Sequence, residues 1–170
     1  CRSFEFEHVP LQLEEAGLEL LVLDTRTPHA LVDSEYAARR ESCEAAAKQL
    51  GVSALRDVTD LDEALSRLDD PVMRRRTQHV VTENARVLAA ADLLRAGDLR
   101  GIAPLLDESH ASMRDQFEIT VPTVDLAVET AMTAGALGAR MTGGGFGGCI
   151  IALVAAGGAD TVAESIGEAF

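Results

Sequence analysis

Five glycines lie within six consecutive positions near the end of the sequence, between two short apolar runs. The second run begins at Cys149 and is apolar and β-branched, so we expect a strand there and not the helix that a dinucleotide-binding glycine motif opens. No Gly-Lys-Ser or Gly-Lys-Thr sequence closes the segment, which excludes a Walker A loop. The pattern therefore predicts two antiparallel strands joined by a glycine turn.

This turn is richer in glycine than a hairpin requires. A tight hairpin turn is satisfied by about two glycines, and each further glycine loses more backbone entropy on folding than another residue would. Glycine at these positions leaves room for another group to approach the backbone closely. We therefore interpret the loop as functional, and its residues are Gly143, Gly144, Gly145, Phe146, Gly147 and Gly148.

The composition limits the classes of partner. The chain has 170 residues, 47% of them hydrophobic, and a formal net charge of -13, and its apolar runs are shorter than the ~20 residues that span a bilayer. The negative charge opposes binding to nucleic acid or anionic lipid, so we expect neither nucleic acid nor a membrane as partner. Cys1, Cys43 and Cys149 lack Cys-x-x-Cys spacing, which speaks against a disulfide framework or a structural zinc site and favours a cytoplasmic location.

Hydrophobic periodicity and capping signals predict an α+β fold, with helices packed on a small, mainly antiparallel sheet. Strands are predicted at residues 3–9 and 18–24, besides the two strands of the glycine hairpin. One helix is predicted to begin at Asp33 or Ser34 and to end at Leu50, and further helices over residues 61–68, 71–95, 98–114, 122–137 and 161–170. In the longest helix an apolar residue recurs every seven positions, at Met73, Val80, Val87 and Leu94.

No internal repeat or linker-like segment interrupts the chain, so we expect residues 1–170 to form a single domain. The sequence begins with Cys1 and not with Met, and its last predicted helix stops at Phe170 without a capping glycine or a polar tail. We therefore expect the chain to be a fragment of a longer protein.

Other groups that could carry chemistry are weaker candidates. The four histidines lack the i, i+4 spacing of a zinc-binding helix, so no metal site is predicted. Ser109 and His110, with Asp107 or Asp115, are neighbours on one helix and lack a nucleophile elbow, so we interpret them as part of the polar face and turn contacts of that helix. The acidic cluster within residues 60–70 is interpreted as a solvated helix-capping stretch.

Tyr36 lies in the first turns of the first predicted helix, where amide donors and its hydroxyl could meet a polar ligand. An amphipathic tyrosine, with its ring in the core and its hydroxyl at the surface, fits the same pattern. The residue pattern alone leaves both interpretations open.

Several blocks of sequence, in order along the chain, closely resemble galactokinases of the GHMP kinase superfamily. The glycine segment at residues 138–149 resembles the third signature of that family, and residues 1–3 resemble the start of its second half. The other matching blocks are Ser34-Glu35-Tyr36 followed by Arg39-Arg40 and Cys43-Glu44, then residues 54–58, 79–87 and 108–122. The resemblance covers essentially the whole chain.

This resemblance implies the C-terminal lobe of a two-lobed sugar kinase, with the ferredoxin-like α+β fold of that lobe in GHMP kinases. Such an enzyme transfers the γ-phosphoryl group of ATP, with Mg²⁺, to the anomeric hydroxyl of α-D-galactose. Tyr36 matches the family tyrosine that contacts the sugar, and residues 143–148 match the loop that packs beside the phosphate-binding loop and the reacting groups. The expected partners are galactose, ATP and the N-terminal lobe of the same protein, in a monomeric enzyme.

The family's phosphate-binding loop, catalytic aspartate and remaining sugar contacts have no match in this sequence. They are expected in a part that precedes Cys1 in a complete protein, so no catalytic residue and no metal ligand is assigned here. ATP with Mg²⁺ is expected to be bound mainly by that N-terminal lobe, and the chain alone is expected to be inactive. Two alternatives stay open, a non-catalytic galactokinase-like sensor of sugar and ATP, and a kinase for another sugar such as N-acetylgalactosamine.

Overall fold

Three strands form one antiparallel sheet in a computed structural model that describes residues 7–27 and 32–170. In the order β1-β3-β2, the strands are β1, Leu18–Asp24, β3, Cys149–Ala155, and β2, Gly138–Thr142. The central strand β3 places Leu153 opposite Leu20 on one side and opposite Gly138 on the other. These strands confirm the prediction for residues 18–24 and for the glycine hairpin. In the strand predicted at residues 3–9, positions 3–6 lie outside the described residues and positions 7–9 are not in a strand.

Helices pack around this sheet and confirm the predicted α+β fold. In the described ranges they are α1, Val32–Leu50, α2, Leu61–Ser66, α3, Pro71–Arg95, α4, Ala103–Ser112, α5, Pro122–Thr133, and α6, Ala159–Glu168. Short 3₁₀ turns lie at Leu55–Asp57 and Arg100–Ile102, and a π-helical turn lies at Met113–Phe117. None of the described helices combines the length and the apolar character needed to cross a bilayer.

Local capping signals set several helix ends as predicted. The Asp70 carboxylate accepts a hydrogen bond from the Val72 N–H, and Pro71 occupies the first turn of α3, where its missing N–H has no intrahelical partner to lose. Gly51 follows α1 with a φ of +76°, the left-handed conformation in which helices commonly end at glycine.

Other boundaries were predicted wrongly. Helix α1 begins at Val32, ahead of the predicted caps Asp33 and Ser34. Helix α5 ends at Thr133 and not near residue 137, because Gly135 adopts a φ of +103° and the Ala136 N–H returns to the Ala131 carbonyl. Helix α2 ends two residues before the predicted end at 68, and α6 begins two residues before 161.

The helix predicted over residues 98–114 consists of three segments. Asp98 accepts a hydrogen bond from the Gly101 N–H and so caps the 3₁₀ turn that precedes α4. After Ser112 the backbone widens into the π-helical turn, and Glu118 then takes a left-handed φ of +55°. Helical periodicity in the sequence does not distinguish these three helix types.

Apolar side chains of the described residues pack into a main cluster and two smaller ones. The main cluster joins one face of the sheet to α5 and α6, with Ile150, Val128 and Ile166 among its members. A second cluster lies between α1, α2 and α3, and a third covers the Leu18 and Leu153 end of the sheet. Among the apolar residues that recur every seven positions in α3, Val87 is 60% exposed.

Helix α4 protects the edge strand β2. The Asp107 carboxylate accepts a hydrogen bond from the Ala139 N–H at 2.8 Å, and His110 Nδ1 accepts one from the Met141 N–H at 3.2 Å. These two side chains, three residues apart on α4, therefore bind alternate amides along the strand. An edge strand whose amides are satisfied in this way is not available to pair with another strand. The contact fixes β2, and with it the first half of the glycine hairpin.

Replacing Gly138 by alanine is expected to destabilise the protein, because α4 and β2 touch at this position. A Cβ atom there would lie 2.2 Å from the Ala103 carbonyl oxygen, so backbone must move, at a cost of about 1 to 3 kcal/mol or more. Gly167→Ala is the matched control, since nothing lies within 4 Å of the added methyl group. Urea denaturation measures both, and an unchanged free energy of unfolding for Gly138→Ala would contradict the close approach.

Candidate functional site: the glycine loop and the cavity beside Tyr36

The glycine loop, residues 143–148, joins β2 to β3. Positive φ angles occur at Gly143, Gly145, Gly147 and Gly148, and side-chain-bearing residues rarely adopt this conformation. Phe146 also has a positive φ, of +61°. The glycine excess in the sequence therefore corresponds to a backbone that turns repeatedly through the left-handed region.

Phe146 is held in this unfavourable conformation by burial and by one hydrogen bond. Its ring belongs to the main apolar cluster, and its N–H donates to the Ile119 carbonyl at 2.7 Å. A positive φ costs a residue with a side chain about 1 to 3 kcal/mol, and burying a phenylalanine ring contributes a stabilisation of about 1.5 to 3 kcal/mol. The two magnitudes are similar, so the buried ring offsets the strain.

Gly145 approaches Ile119 closely. A Cβ atom at this position would lie 2.7 Å from the Ile119 carbonyl oxygen and 2.8 Å from the Ile119 Cβ. By contrast, Cβ atoms added at Gly143 and Gly144 would meet nothing within 4 Å. The loop therefore has one side packed on Ile119 and an open tip where another group can reach the backbone.

The far end of the loop is tied to β1 and to α5 through three threonines. The Gly148 carbonyl accepts hydrogen bonds from the Thr25 N–H at 3.1 Å and from the Thr25 hydroxyl at 2.7 Å. The Thr27 hydroxyl lies 3.0 Å from that of Thr25 and 2.7 Å from that of Thr123. This chain of hydroxyls joins the loop to the end of β1 and to the first turn of α5.

Ile119, on which the loop packs, follows the π-helical turn after α4. The Ile119 N–H donates to the Met113 carbonyl at 3.1 Å and closes this turn. The Arg76 side chain, buried on α3, donates hydrogen bonds to the Gln116 carbonyl and to the Glu118 carboxylate. A buried guanidinium that is paired with a carboxylate is costly to disrupt, so Arg76 fixes the turn against α3.

His79, which lies three residues after Arg76 on α3, supports the same π-helical turn. Its ring stacks on Phe117 with centroids 4.4 Å apart, and its Nδ1 lies 2.8 Å from the Ser112 hydroxyl. Because the Ser112 hydroxyl donates to the Gln116 side-chain oxygen, the His79 Nδ1–H is the donor to Ser112. Burial lowers the pKa of His79 to about 4, so the imidazole is neutral at physiological pH.

The structure brings Tyr36 and the glycine loop to the same cavity. The cavity, of 270 Å³, is lined by Tyr36, Arg39, Arg40, Cys43, Phe117, Ile119, Gly144 and Phe146. The Tyr36 side chain is 60% exposed within the described residues, so the interpretation with its ring in the core is wrong for this chain. The two sequence features singled out for a binding role lie more than a hundred residues apart and meet at one opening.

Ser109 and His110 do not belong to an exposed polar face, and that interpretation is wrong. Both are buried, and the Ser109 hydroxyl donates to the Glu83 carboxylate at 2.6 Å. His110 Nε2 lies 3.2 Å from the Asp125 carboxylate, and burial lowers the pKa of its imidazole. These residues join helices α3, α4 and α5 internally, which periodicity in a short helix could not indicate.

Glu83 is the centre of a polar network that the sequence analysis missed. It accepts hydrogen bonds from Arg86 at 2.8 Å and from Arg140 of β2 at 3.2 Å, besides that from Ser109. Burial acts to raise the pKa of Glu83, but its hydrogen bonds to Ser109 and Arg86 and the positive charges of Arg86 and Arg140 bring it below the usual value. The network ties α3 to the strand that leads into the glycine loop.

The acidic stretch within residues 60–70 caps helices, as predicted. The Asp60 carboxylate accepts a hydrogen bond from the Glu63 N–H, as Asp70 does from Val72. Across the part of the chain that the structure describes, no group of three or more His, Cys, Asp or Glu side chains is arranged to hold a metal ion. A separate cavity of 640 Å³ lies between α1, α3 and the segment after α1, with Cys43, Arg56 and Asn84 among its lining residues.

Comparisons with known proteins agree with this architecture. Residues 90–170 match the family described as GHMP kinases C terminal. Curated galactokinases from Streptomyces coelicolor and Streptomyces lividans are 51% and 48% identical to this chain over 99% of its length. The chain spans 44% and 43% of those two relatives, so it corresponds to less than half of each.

Solved structures give the same result for the fold. A Lactococcus lactis galactokinase, in a crystal structure with galactose, superposes with a TM-score of 0.92 at 34% identity and covers 99% of this chain and 45% of its own. An L. major mevalonate kinase, in complex with R-mevalonate, superposes with a TM-score of 0.57 at 24% identity over 89% of this chain and 38% of its own. The second likeness concerns the fold alone.

Replacing His79 by glutamine is expected to flatten the dependence of stability on pH. Burial lowers the pKa of His79 from 6.5 to about 4 in the folded protein, so between these values the unfolded chain takes up the proton more readily. The stability contributed by the neutral His79 is fully present above pH 6.5 and is lost as the pH falls from 6.5 through 4. The free energy of unfolding falls by roughly 3 kcal/mol in total. Denaturation at a series of pH values measures this loss.

His8→Gln, at an exposed position, is the control for this experiment. The wild type and His8→Gln should lose stability in parallel as the pH falls, whereas His79→Gln should lose less. Parallel profiles for all three proteins would contradict the role of the buried neutral imidazole.

Proposed function

We propose that this chain belongs to the GHMP kinase family and is the C-terminal lobe of a galactokinase. The whole enzyme transfers the γ-phosphoryl group of ATP to the anomeric hydroxyl of α-D-galactose and forms galactose 1-phosphate. The observation that carries this proposal is the match, over 99% of the chain and with a TM-score of 0.92, to a galactokinase solved with galactose. The meeting of Tyr36 and the glycine loop at one cavity supports it independently.

The proposed role of Tyr36 is to contact the sugar. Its side chain is exposed and lines the cavity beside the loop, and a phenolic hydroxyl both donates and accepts hydrogen bonds, as sugar hydroxyls do. Tyr36 can serve this role without taking part in bond making, because phosphoryl transfer depends mainly on positioning the reactants and stabilising charge.

The proposed role of the glycine loop is to bring backbone amides close to the reacting phosphate or to the loop that holds it. The open tip at Gly143 and Gly144 leaves space for such an approach, and amides in turns with positive φ bind anions. ATP would be held mainly by the N-terminal lobe. In the described residues no acidic cluster fits Mg²⁺, and we assign the ion to that lobe.

Further features of the complete protein follow from the same proposal. We assign the phosphate-binding loop and the catalytic base to the N-terminal lobe, and residues 1–170 to a single domain that packs against it. The complete enzyme is proposed to be a monomer. A cytoplasmic location fits the cysteine pattern, in which Cys43 and Cys149 are free among the described residues.

The test is a phosphoryl-transfer assay of the full-length protein with ATP, Mg²⁺ and a panel containing galactose, N-acetylgalactosamine and glucose. We expect turnover with galactose, and turnover at background when residues 1–170 are assayed alone. Galactose binding without turnover by the full-length protein would favour a sensor, and preference for N-acetylgalactosamine would favour a kinase for that sugar. Either result would overturn the proposal.

Tyr36→Phe in the full-length protein is expected to weaken galactose use and to leave stability unchanged. The substitution removes only a hydroxyl, and one neutral hydrogen bond contributes about 1 kcal/mol, or roughly a five-fold increase in KM for galactose. The KM for ATP should stay the same. A loss of melting temperature with unchanged galactose kinetics would assign the residue a structural role instead.

Gly145→Ala is expected to lower kcat strongly. Gly144→Ala is the control for folding and should leave the melting temperature unchanged. An alanine at position 145 would place its methyl group against the Ile119 backbone and would have to adopt a φ of +91°. Such strain costs about 1 to 3 kcal/mol per residue. A displacement of the loop by ~1 Å can lower the rate about 100-fold. Steady-state kinetics and melting temperatures of both variants measure this, and a folded Gly145→Ala enzyme with normal kcat would restrict the glycine to turn geometry.

A further inference from the structure

Arg39 lies between the two parts of the proposed sugar site. It is on α1, three residues after Tyr36, and residues at this spacing project from the same side of a helix. The Arg39 side chain is only 16% exposed, whereas that of Tyr36 is 60% exposed. Arg39 therefore lies beneath the cavity that Tyr36 and the glycine loop line at its surface.

The guanidinium of Arg39 binds the end of the π-helical turn. Its Nε donates to the Phe117 carbonyl at 2.8 Å, and its Nη2 donates to the Glu118 carbonyl at 2.8 Å. The remaining amino group, Nη1, lies 3.0 Å from the Glu35 carboxylate, in the preceding turn of α1. These contacts use the planar fork of donors that arginine has and lysine lacks.

The same guanidinium also contacts the glycine loop. Its Cζ lies 5.6 Å from the centroid of the Phe146 ring, within the range of a cation–π interaction. Phe146 donates in turn to the carbonyl of Ile119, two residues after the Phe117 carbonyl that Arg39 binds. Arg39 thus connects three segments, which are the helix that bears Tyr36, the π-helical turn and the glycine loop.

We propose that Arg39 is a positioning residue that sets the distance between Tyr36 and the glycine loop. This inference rests on the proposed function of the site, because it concerns how sugar and phosphate are held relative to each other. In this role Arg39 binds neither reactant, although its side chain lines the cavity. It acts by holding α1 against the turn and the Phe146 ring, so its loss would let the two walls of the cavity move apart.

The test compares Arg39→Lys with Arg95→Lys in the full-length protein. Lysine keeps the charge and much of the length at position 39 but cannot bind two successive carbonyls with one planar group. Arg95 is the matched control, since its side chain is 43% exposed, its ion pairs are with Asp92 of the same helix and with Glu7, and it does not line the cavity. Each variant is measured for kcat, KM for galactose and for ATP, melting temperature, and deuterium exchange of residues 143–148.

Arg39→Lys is expected to raise KM for galactose and to lower kcat, each by roughly ten-fold, as a misplacement of somewhat less than 1 Å would do. The loop amides should exchange faster, while KM for ATP stays within about two-fold, because ATP is held by the other lobe and not by this contact. Arg95→Lys should match the wild type in every measurement.

A second variant keeps the proposal testable if Arg39→Lys does not fold. Phe146→Leu removes the ring beneath the guanidinium and leaves an apolar side chain of similar size in the cluster. It should speed exchange in the loop whether or not Arg39→Lys folds. Where both single variants fold, their effects should be non-additive, because both act through the same contact.

Two outcomes would overturn the proposal. One is wild-type exchange in the loop with wild-type galactose kinetics, in a folded Arg39→Lys enzyme or, if that variant does not fold, in Phe146→Leu. The other is additive effects of the two substitutions. If the wild-type protein itself lacks sugar kinase activity, the proposed function fails, whereas the exchange measurements still decide whether Arg39 orders the loop.

Discussion

The hydrogen bond from the Phe146 N–H to the Ile119 carbonyl, at 2.7 Å, joins the glycine loop to the rest of the protein. Gly145 must lack a side chain for this bond to form, because a Cβ atom there would overlap the Ile119 backbone. Phe146 must also adopt a positive φ, and the burial of its ring offsets the energetic cost of this conformation. A short, strained segment is thereby held against one residue of a neighbouring turn.

The position of Ile119 depends in turn on polar side chains from two helices. Arg76 and His79 of α3 bind or stack on the π-helical turn, and Arg39 of α1 binds its last carbonyls. Because the Arg76 guanidinium is buried and paired with Glu118, removing Glu118 would leave an uncompensated buried charge. The loop geometry is thus determined by a network that lies one layer away from the cavity.

Local signals in the sequence were sufficient for most of the regular elements and for the hairpin. The Asp70-Pro71 pair, the strand at residues 18–24 and the glycine turn were predicted correctly, because capping, alternation and glycine content act over a few residues. The π-helical turn and the burial of Ser109 and His110 were not, because they depend on contacts with α3, α5 and β2 that no local pattern encodes. The same limit applied to Tyr36, whose place beside Gly144 follows from packing across more than a hundred residues.

The most direct measurement is a crystal structure of the full-length protein with galactose and a non-hydrolysable ATP analogue. The account predicts galactose in the cavity beside the glycine loop, with a sugar hydroxyl at ~2.7 to 3.0 Å from the Tyr36 hydroxyl. It also predicts that the Phe146 to Ile119 hydrogen bond is retained and that the open tip of the loop faces the phosphates. Galactose bound away from Tyr36, or a loop that leaves Ile119 when the ligands bind, would contradict it.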